Sequence, residues 1–293
     1  MKISILLTIV IVISFGRINS QPNDSVNVVI SHIFFCIDSV TYANLFNDDF
    51  IAKTFAYSRV SSSQTLTDSW TGKYLLGRKS YIEVFAVNDK KANPELGDKF
   101  GDASIVFRTK KPGDIQKIDA RIKADRGDTL ELMKYESDGK IIPFNFNLYL
   151  SDATLQETFR PYVEEFTAEY LKLVGFSETE IMAGITQEQF GEKRRGKKYD
   201  KLYDNIEKIE LILTPEEFGY LSGSLKYFGF SQTGNRFTHG TLEIICSIQQ
   251  NRKYKLKAIH FSLLSKTEDT KIEISKNLTF RASGTRASFE FNY

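Results

Sequence analysis

A chain of 293 residues with 41% hydrophobic, 13% aromatic and 26% charged side chains has room for one large domain or two smaller ones around a sizeable core. That apolar share excludes a disordered chain, and six prolines with 18 glycines exclude collagen-like and low-complexity classes. Lys and Arg total 39 against 37 Asp and Glu. Without Lys2 and Arg17 of the first twenty residues the balance is 37 to 37, which argues against nucleic acid or an anionic membrane as the general partner.

Lys2 precedes an apolar stretch at 3–15, and small Ser20 closes the segment. This order reads as a secretory signal peptide over 1–20, too short for a span of about 20 apolar residues. The mature chain is therefore expected to be exported, periplasmic or secreted, with no integral membrane segment. Residues 26–37 are β-branched and aromatic and predict a buried strand. Asp38-Ser39 offers a cap for a helix over 40–49, and strands are expected at 54–60, 72–76 and 80–87. The order β-α-β-β-β then recurs after a connector at 88–100. A strand at 103–109 leads to a helix from Pro112-Gly113-Asp114 with Ile115, Ile118 and Ile122 on one face, and strands follow at 129–135 and 143–150 around a turn at 137–139.

Phe159, Tyr162, Phe166 and Tyr170 recur at helical spacing and predict an amphipathic helix over 154–174, with Pro161 implying a kink or a later start. Residues 177–203 read as a polar linker, and the charge run 192–198, without interleaved aromatics, as a solvated face. A third unit begins with a strand at 206–213. Thr214-Pro215-Glu216-Glu217 is a helix start with Pro at the first position, the helix runs to about Tyr227, and strands follow at 236–238 and 241–247. The closing runs 256–264, 271–274, 278–280 and 287–291 could form a fourth module without a helix. The expected division is 1–20 signal, 26–152 first domain of two modules, 153–204 helix and polar linker, and 205–293 second domain. Cys36 and Cys246 lie in apolar runs, as buried thiols or as a bridge that sequence spacing leaves open.

Placing 37–42 against 213–218 sets His32 opposite Lys208, and placing 81–84 against 241–244 repeats Glu83 as Glu243. The repeated β-α-β-β-β units, the strand with His32 running into Asp38-Ser39, and the strand Tyr81-Ile82-Glu83-Val84 resemble the vicinal oxygen chelate superfamily, and within it an exported glyoxalase-like family of Bacteroidetes. The resemblance implies an α+β fold of tandem βαβββ modules forming partly open barrels around a ligand. It implies His32 and Glu83 as ligands of one divalent metal (Zn, Fe, Mn or Ni), with Glu83 as the candidate general base. Ser104 or Ile105, and Asn145 or Asn147, stand at the matching places of the second module, where none is a strong ligand. Catalytic metal sites usually carry three protein ligands, while His239 and His260 lie in other segments.

The candidate pocket comprises His32, Glu83, Tyr74, Arg78 and Asn147, with Trp70, Tyr81 and Phe85 bordering it. An Arg near an apolar cleft could pair with a carboxylate ligand, although Arg78-Lys79 also reads as a solvated hairpin turn. Two functions stand side by side: a binding protein for a small molecule in a metal-free barrel, or a metal-dependent lyase, isomerase or dioxygenase-type enzyme on a small oxygen-rich substrate. Sequence leaves the oligomeric state open.

Overall fold

Two sheets share one helix layer in the computed structural model, which describes residues 26, 28–66, 69–87, 99–137, 139–150, 159–252 and 254–293. The expected leader at 1–20 and most of the connector at 88–100 lie outside the described residues. The first unit is β1 (Val29–Ile37), α1 (Ser39–Asn47), a π turn at Ile51–Phe55, β2 (Tyr57–Gln64), β3 (Ser69–Leu76) and β4 (Tyr81–Ala86). The second is β5 (Ala103–Arg108), α2 (Asp114–Asp125), β6 (Asp128–Ser137), β7 (Lys140–Leu150) and β8 (Tyr162–Phe166). In each unit the first strand pairs in parallel with the last and the remaining strands form an antiparallel meander. β1 and β5 join the units antiparallel, giving one eight-stranded sheet of order β2-β3-β4-β1-β5-β8-β7-β6. This is the expected tandem βαβββ architecture, with the sheet curled into a half-barrel.

Three short helices follow: α3 (Ala168–Val174), α4 (Glu178–Ala183) and α5 (Gln187–Arg195). The third unit is β9 (Tyr203–Leu213), α6 (Pro215–Tyr227), β10 (Ser231–Thr233), β11 (Arg236–His239) and β12 (Leu242–Ile248), with β9 parallel to β12. A long hairpin, β13 (Leu256–Ser275) and β14 (Leu278–Phe291), completes a six-stranded sheet. The closing segment is thus one hairpin interrupted by bulges.

Local chemistry sets most helix starts. The Asp38 carboxylate accepts from Thr41 N at 2.9 Å, and Thr214 with Glu217 forms a reciprocal capping box ahead of α6. The core lies between the sheets, where Ile33, Phe35, Phe55, Tyr203, Leu221, Phe261 and Phe289 are buried. α1 bridges the layers, its Asn44 Nδ2 donating to Ile274 O at 2.9 Å, while Tyr220 of α6 donates to Leu150 O at 2.9 Å. Cys36 and Cys246 are buried and unbridged.

The segment expected as a helix over 154–174 is instead, in its described part, strand β8 followed by α3, and the first sheet runs on to Phe166. Alternation decides the matter: Tyr162, Glu164 and Phe166 face one side, and Val163 and Glu165 the other. The Glu165 carboxylate accepts from Gly113 N at 2.7 Å, Ile115 N at 2.7 Å and Thr109 Oγ1 at 2.6 Å. It caps α2, whose own N-cap is a glycine without a side chain. Such a cap, delivered across the fold, exists only if Glu165 sits on a strand. Glu165→Ala leaves these donors without a buried acceptor and should cost about 2 kcal/mol in urea unfolding. A loss below about 0.5 kcal/mol would contradict the capping role.

Candidate functional site

A β-bulge between Ile30 and His32 builds the site, because it turns Ser31 and His32 toward the same region. Ser31 Oγ donates to Glu164 Oε1 at 2.6 Å, and Arg108 Nε donates to the same oxygen at 2.9 Å. Arg108 Nη2 also reaches Glu164 and donates to Ser31 Oγ at 2.9 Å. His32 Nδ1 lies 3.2 Å from Ser31 Oγ. Ser31 gives its one proton to Glu164, so His32 Nδ1 is the donor and Nε2 remains the basic nitrogen. The His32 ring stacks on Tyr81 at 4.3 Å and 11°.

Electrostatics follow from this packing. Burial lowers the His32 pKa to about 4, with Glu164 opposing the shift and Arg108 reinforcing it. Burial alone would raise Glu164, but Arg108, His32 and Ser31 together hold it below the ordinary carboxylate value. Tyr81 and Tyr162 are raised by burial and remain protonated.

Glu83 belongs to the other half of the same face. Tyr74 donates to Glu83 Oε1 at 2.6 Å, and Trp70 Nε1 donates to the Tyr74 oxygen at 3.3 Å. A side chain at Gly72 would put its Cβ 2.7 Å from that carboxylate oxygen, so the glycine leaves room for the carboxylate where it lies. Phe34, Cys36, Phe85 and Val106 form a buried apolar cluster, with Trp70 and Tyr162 against it. Asn145 donates to Asn147 Oδ1 at 2.9 Å, and Asn147 stands opposite Glu164 in the ladder. The Asn145 carbonyl oxygen is buried without a hydrogen-bond partner among the described residues.

His32, Tyr74, Glu83 and Asn147 of the expected pocket lie on one face of the eight-stranded sheet, with Trp70, Tyr81 and Phe85 on the same face. Arg78 goes elsewhere: its Nε lies 2.7 Å from Asp204 Oδ1 and its Nη1 3.4 Å from Glu188 Oε1, tying the turn before β4 to β9 and α5. Ser104 donates to Arg160 O. His239 Nδ1 is 3.1 Å from Gly229 O, and His260 Nε2 is 3.0 Å from Glu210 Oε1.

Among the described residues no three His, Cys, Asp or Glu side chains gather around one point. The register sets His32 opposite Tyr81 and Glu83 opposite Phe34, His32 Nδ1 faces Ser31, and Tyr74 covers Glu83. In this arrangement His32 and Glu83 lie on one face of two paired strands, and His32 Nδ1 and Glu83 Oε1 each meet a protein neighbour.

Residues the sequence reading passed over include Ser31, Arg108 and Glu164. A signal for Glu164 was present: Tyr81-Ile82-Glu83 on β4 returns as Tyr162-Val163-Glu164 on β8. The register makes the equivalence structural, pairing Phe34 with Glu83 and Arg108 with Glu164. The carboxylate repeat expected at Glu243 does not survive. Ile37 pairs with Ala86 and Leu213 with Ile248, so superposing the strand ends before α1 and α6 puts Ile245 in the place of Glu83.

The depressed His32 pKa has a pH signature. As pH falls, the unfolded chain takes this proton near the ordinary value of 6.5 while the folded chain resists until about 4. Stability attributable to His32 is present above pH 6.5 and drains away toward pH 4, in total about 3 kcal/mol. Proton NMR of the His32 ring should titrate near pH 4, and wild type should lose more stability than His32→Phe between pH 7 and 4.5. A midpoint near 6.5 would contradict the buried, neutral ring.

Two solved structures share distant similarity. A hypothetical protein from Staphylococcus aureus aligns at 11% identity and TM-score 0.49, over 84% of this chain and 95% of its own. A 2,2',3-trihydroxybiphenyl 1,2-dioxygenase from Sphingomonas wittichii strain RW1 aligns at 10% identity and TM-score 0.37, over 82% of this chain and 73% of its own. The fold assignment stands on strand order and pairing, and neither neighbour adds to it. No curated protein matches the chain. The family model that matches covers residues 30–291, nearly all of the fold described here, and by it the chain belongs to a family of unknown function, DUF5829.

Proposed function

We propose that the protein binds a small polar organic molecule in the concave recess of the eight-stranded sheet, and that it does so as an exported protein. The carrying observation is the Asn145 side-chain Oδ1, buried and without a hydrogen-bond partner among the described residues, on the sheet face that also carries Glu164. A buried acceptor left without a donor costs about 1–3 kcal/mol, and a ligand N–H or O–H would remove that cost. Tyr81 and Tyr162 support the same reading. Both lie deep among protein atoms yet keep part of their surface accessible, as residues lining a recess do. The same face offers hydroxyl groups of the tyrosines, a carboxylate acceptor at Glu83, and aromatic faces at Trp70 and Phe34. That mixture suits a molecule with several hydrogen-bonding groups and an apolar flank. The apolar run at 3–15 behind Lys2, closed by Ser20, supports export.

Thermal unfolding of the chain from Gln21, screened against polyols, hydroxy acids, nucleosides and amines, tests the reading. A ligand at about 100 times its Kd adds about 2.7 kcal/mol. At least one compound class should raise the Tm of wild type and have its effect cut in Asn145→Leu and Glu83→Gln. Stabilisation that is equal in all three proteins, or absent throughout, would count against the recess as the site.

A further inference from the structure

A second opening lies at the seam between the two sheets, away from Asn145 and Glu83. It is a cleft of about 330 Å³ bounded by β1, the end of β5, the start of α5 and the β11–β12 turn. Phe107, Phe230, Ile30 and Leu242 give it an apolar floor, while Arg108, Lys110 and Lys79, the last also paired with Asp204 at 3.2 Å, bring three cations to its walls. Among the described residues Glu188 is the one carboxylate in that lining, and it faces Arg78 at 3.4 Å. Arg108 is fixed from behind by Glu164 and Ser31, so its guanidinium does not have to be ordered when a ligand arrives. Its Nη1 donates to the side-chain carbonyl of Gln187 at 2.5 Å, a neutral acceptor on the rim of the cleft. An anion in that place would add ion-pair attraction to a hydrogen bond that now ends on a neutral acceptor.

We propose that this cleft is a binding site for a small amphipathic anion, a carboxylate or sulfonate with a compact apolar body. The anionic group takes the place of the Gln187 carbonyl at Arg108, within reach of Lys79 and Lys110. The apolar body covers Phe107, Phe230 and Leu242. The volume sits at the small end of ligand pockets, which run from about 300 to 1,000 Å³, and the apolar walls strengthen the attraction between the charges.

The probe is 1-anilinonaphthalene-8-sulfonate, an aromatic sulfonate whose fluorescence rises in apolar surroundings. Wild type should bind it saturably at one site, and octanoate should displace it. The double variant Lys79→Ala with Lys110→Ala should weaken it at least tenfold. Leu242→Trp, which fills the floor and leaves every charge in place, should do the same. Glu83→Gln and Asn145→Leu should stay within twofold of wild type. Circular dichroism melts of each variant confirm that a folded protein is being read. Non-saturable binding, or unchanged affinity in the lysine double variant and in Leu242→Trp, overturns the proposal. Loss in Glu83→Gln with retention in the lysine double variant also overturns it, while leaving the recess reading intact.

Discussion

One buried ion pair organises the first half of the molecule. The Arg108 and Glu164 side chains are each about 8% exposed, and taking two charges out of water costs several kcal/mol per ion after relaxation. Hydrogen bonds converging on one Glu164 oxygen offset that cost. Glu164 receives Arg108 twice and Ser31 once, and Arg108 goes on to Gln187. That network ties β1, β5, β8 and α5 together and fixes which His32 nitrogen carries its proton, while burial keeps the His32 ring neutral. The network also requires the bulge at Ile30/His32, since an unbroken strand would alternate Ser31 away from the His32 side.

The two units of the curled sheet have diverged at one matched position. Glu83 faces Phe34 across the β1–β4 pair, whereas Glu164 faces Arg108 across the β5–β8 pair. One end of the concave face is therefore an aromatic cluster with a carboxylate under Tyr74, and the other a closed ion pair. The six-stranded sheet treats its outward face differently. There Glu210 meets Lys208 at 2.8 Å, Lys257 at 3.1 Å and His260 at 3.0 Å. Burial opposes the shift, yet hydrogen bonds from these three cationic or basic groups bring the Glu210 pKa to about 2. That face is an open, charged surface.

Module order was legible because each unit announces itself locally. Strand-like runs end at Asp38 and Thr214, residues that cap helices with their own side chains, and the third helix adds Pro215 at its first position. Strand β8 was not legible because Phe159, Tyr162, Phe166 and Tyr170 imitate a helical stripe. The competing signal was Glu164-Glu165, two acids that a helix in the core would leave unpaired. On a strand each finds its own partner, Arg108 on one face and the α2 amides on the other. His32, Glu83, Tyr74 and Asn147 could be placed on one face from strand order. Arg78 could not, because its partner Asp204 lies on the other sheet. Ser31 escaped because a bulge is a property of pairing, which the run of residues around it does not reveal.

A double-mutant cycle on Arg108→Met and Glu164→Gln, read by urea unfolding, tests the central constraint most directly. Each single change strands a buried charge and should cost about 3–5 kcal/mol, while the double variant should cost clearly less than their sum, with a coupling above about 2 kcal/mol. Single losses below about 1 kcal/mol that simply add would contradict the account.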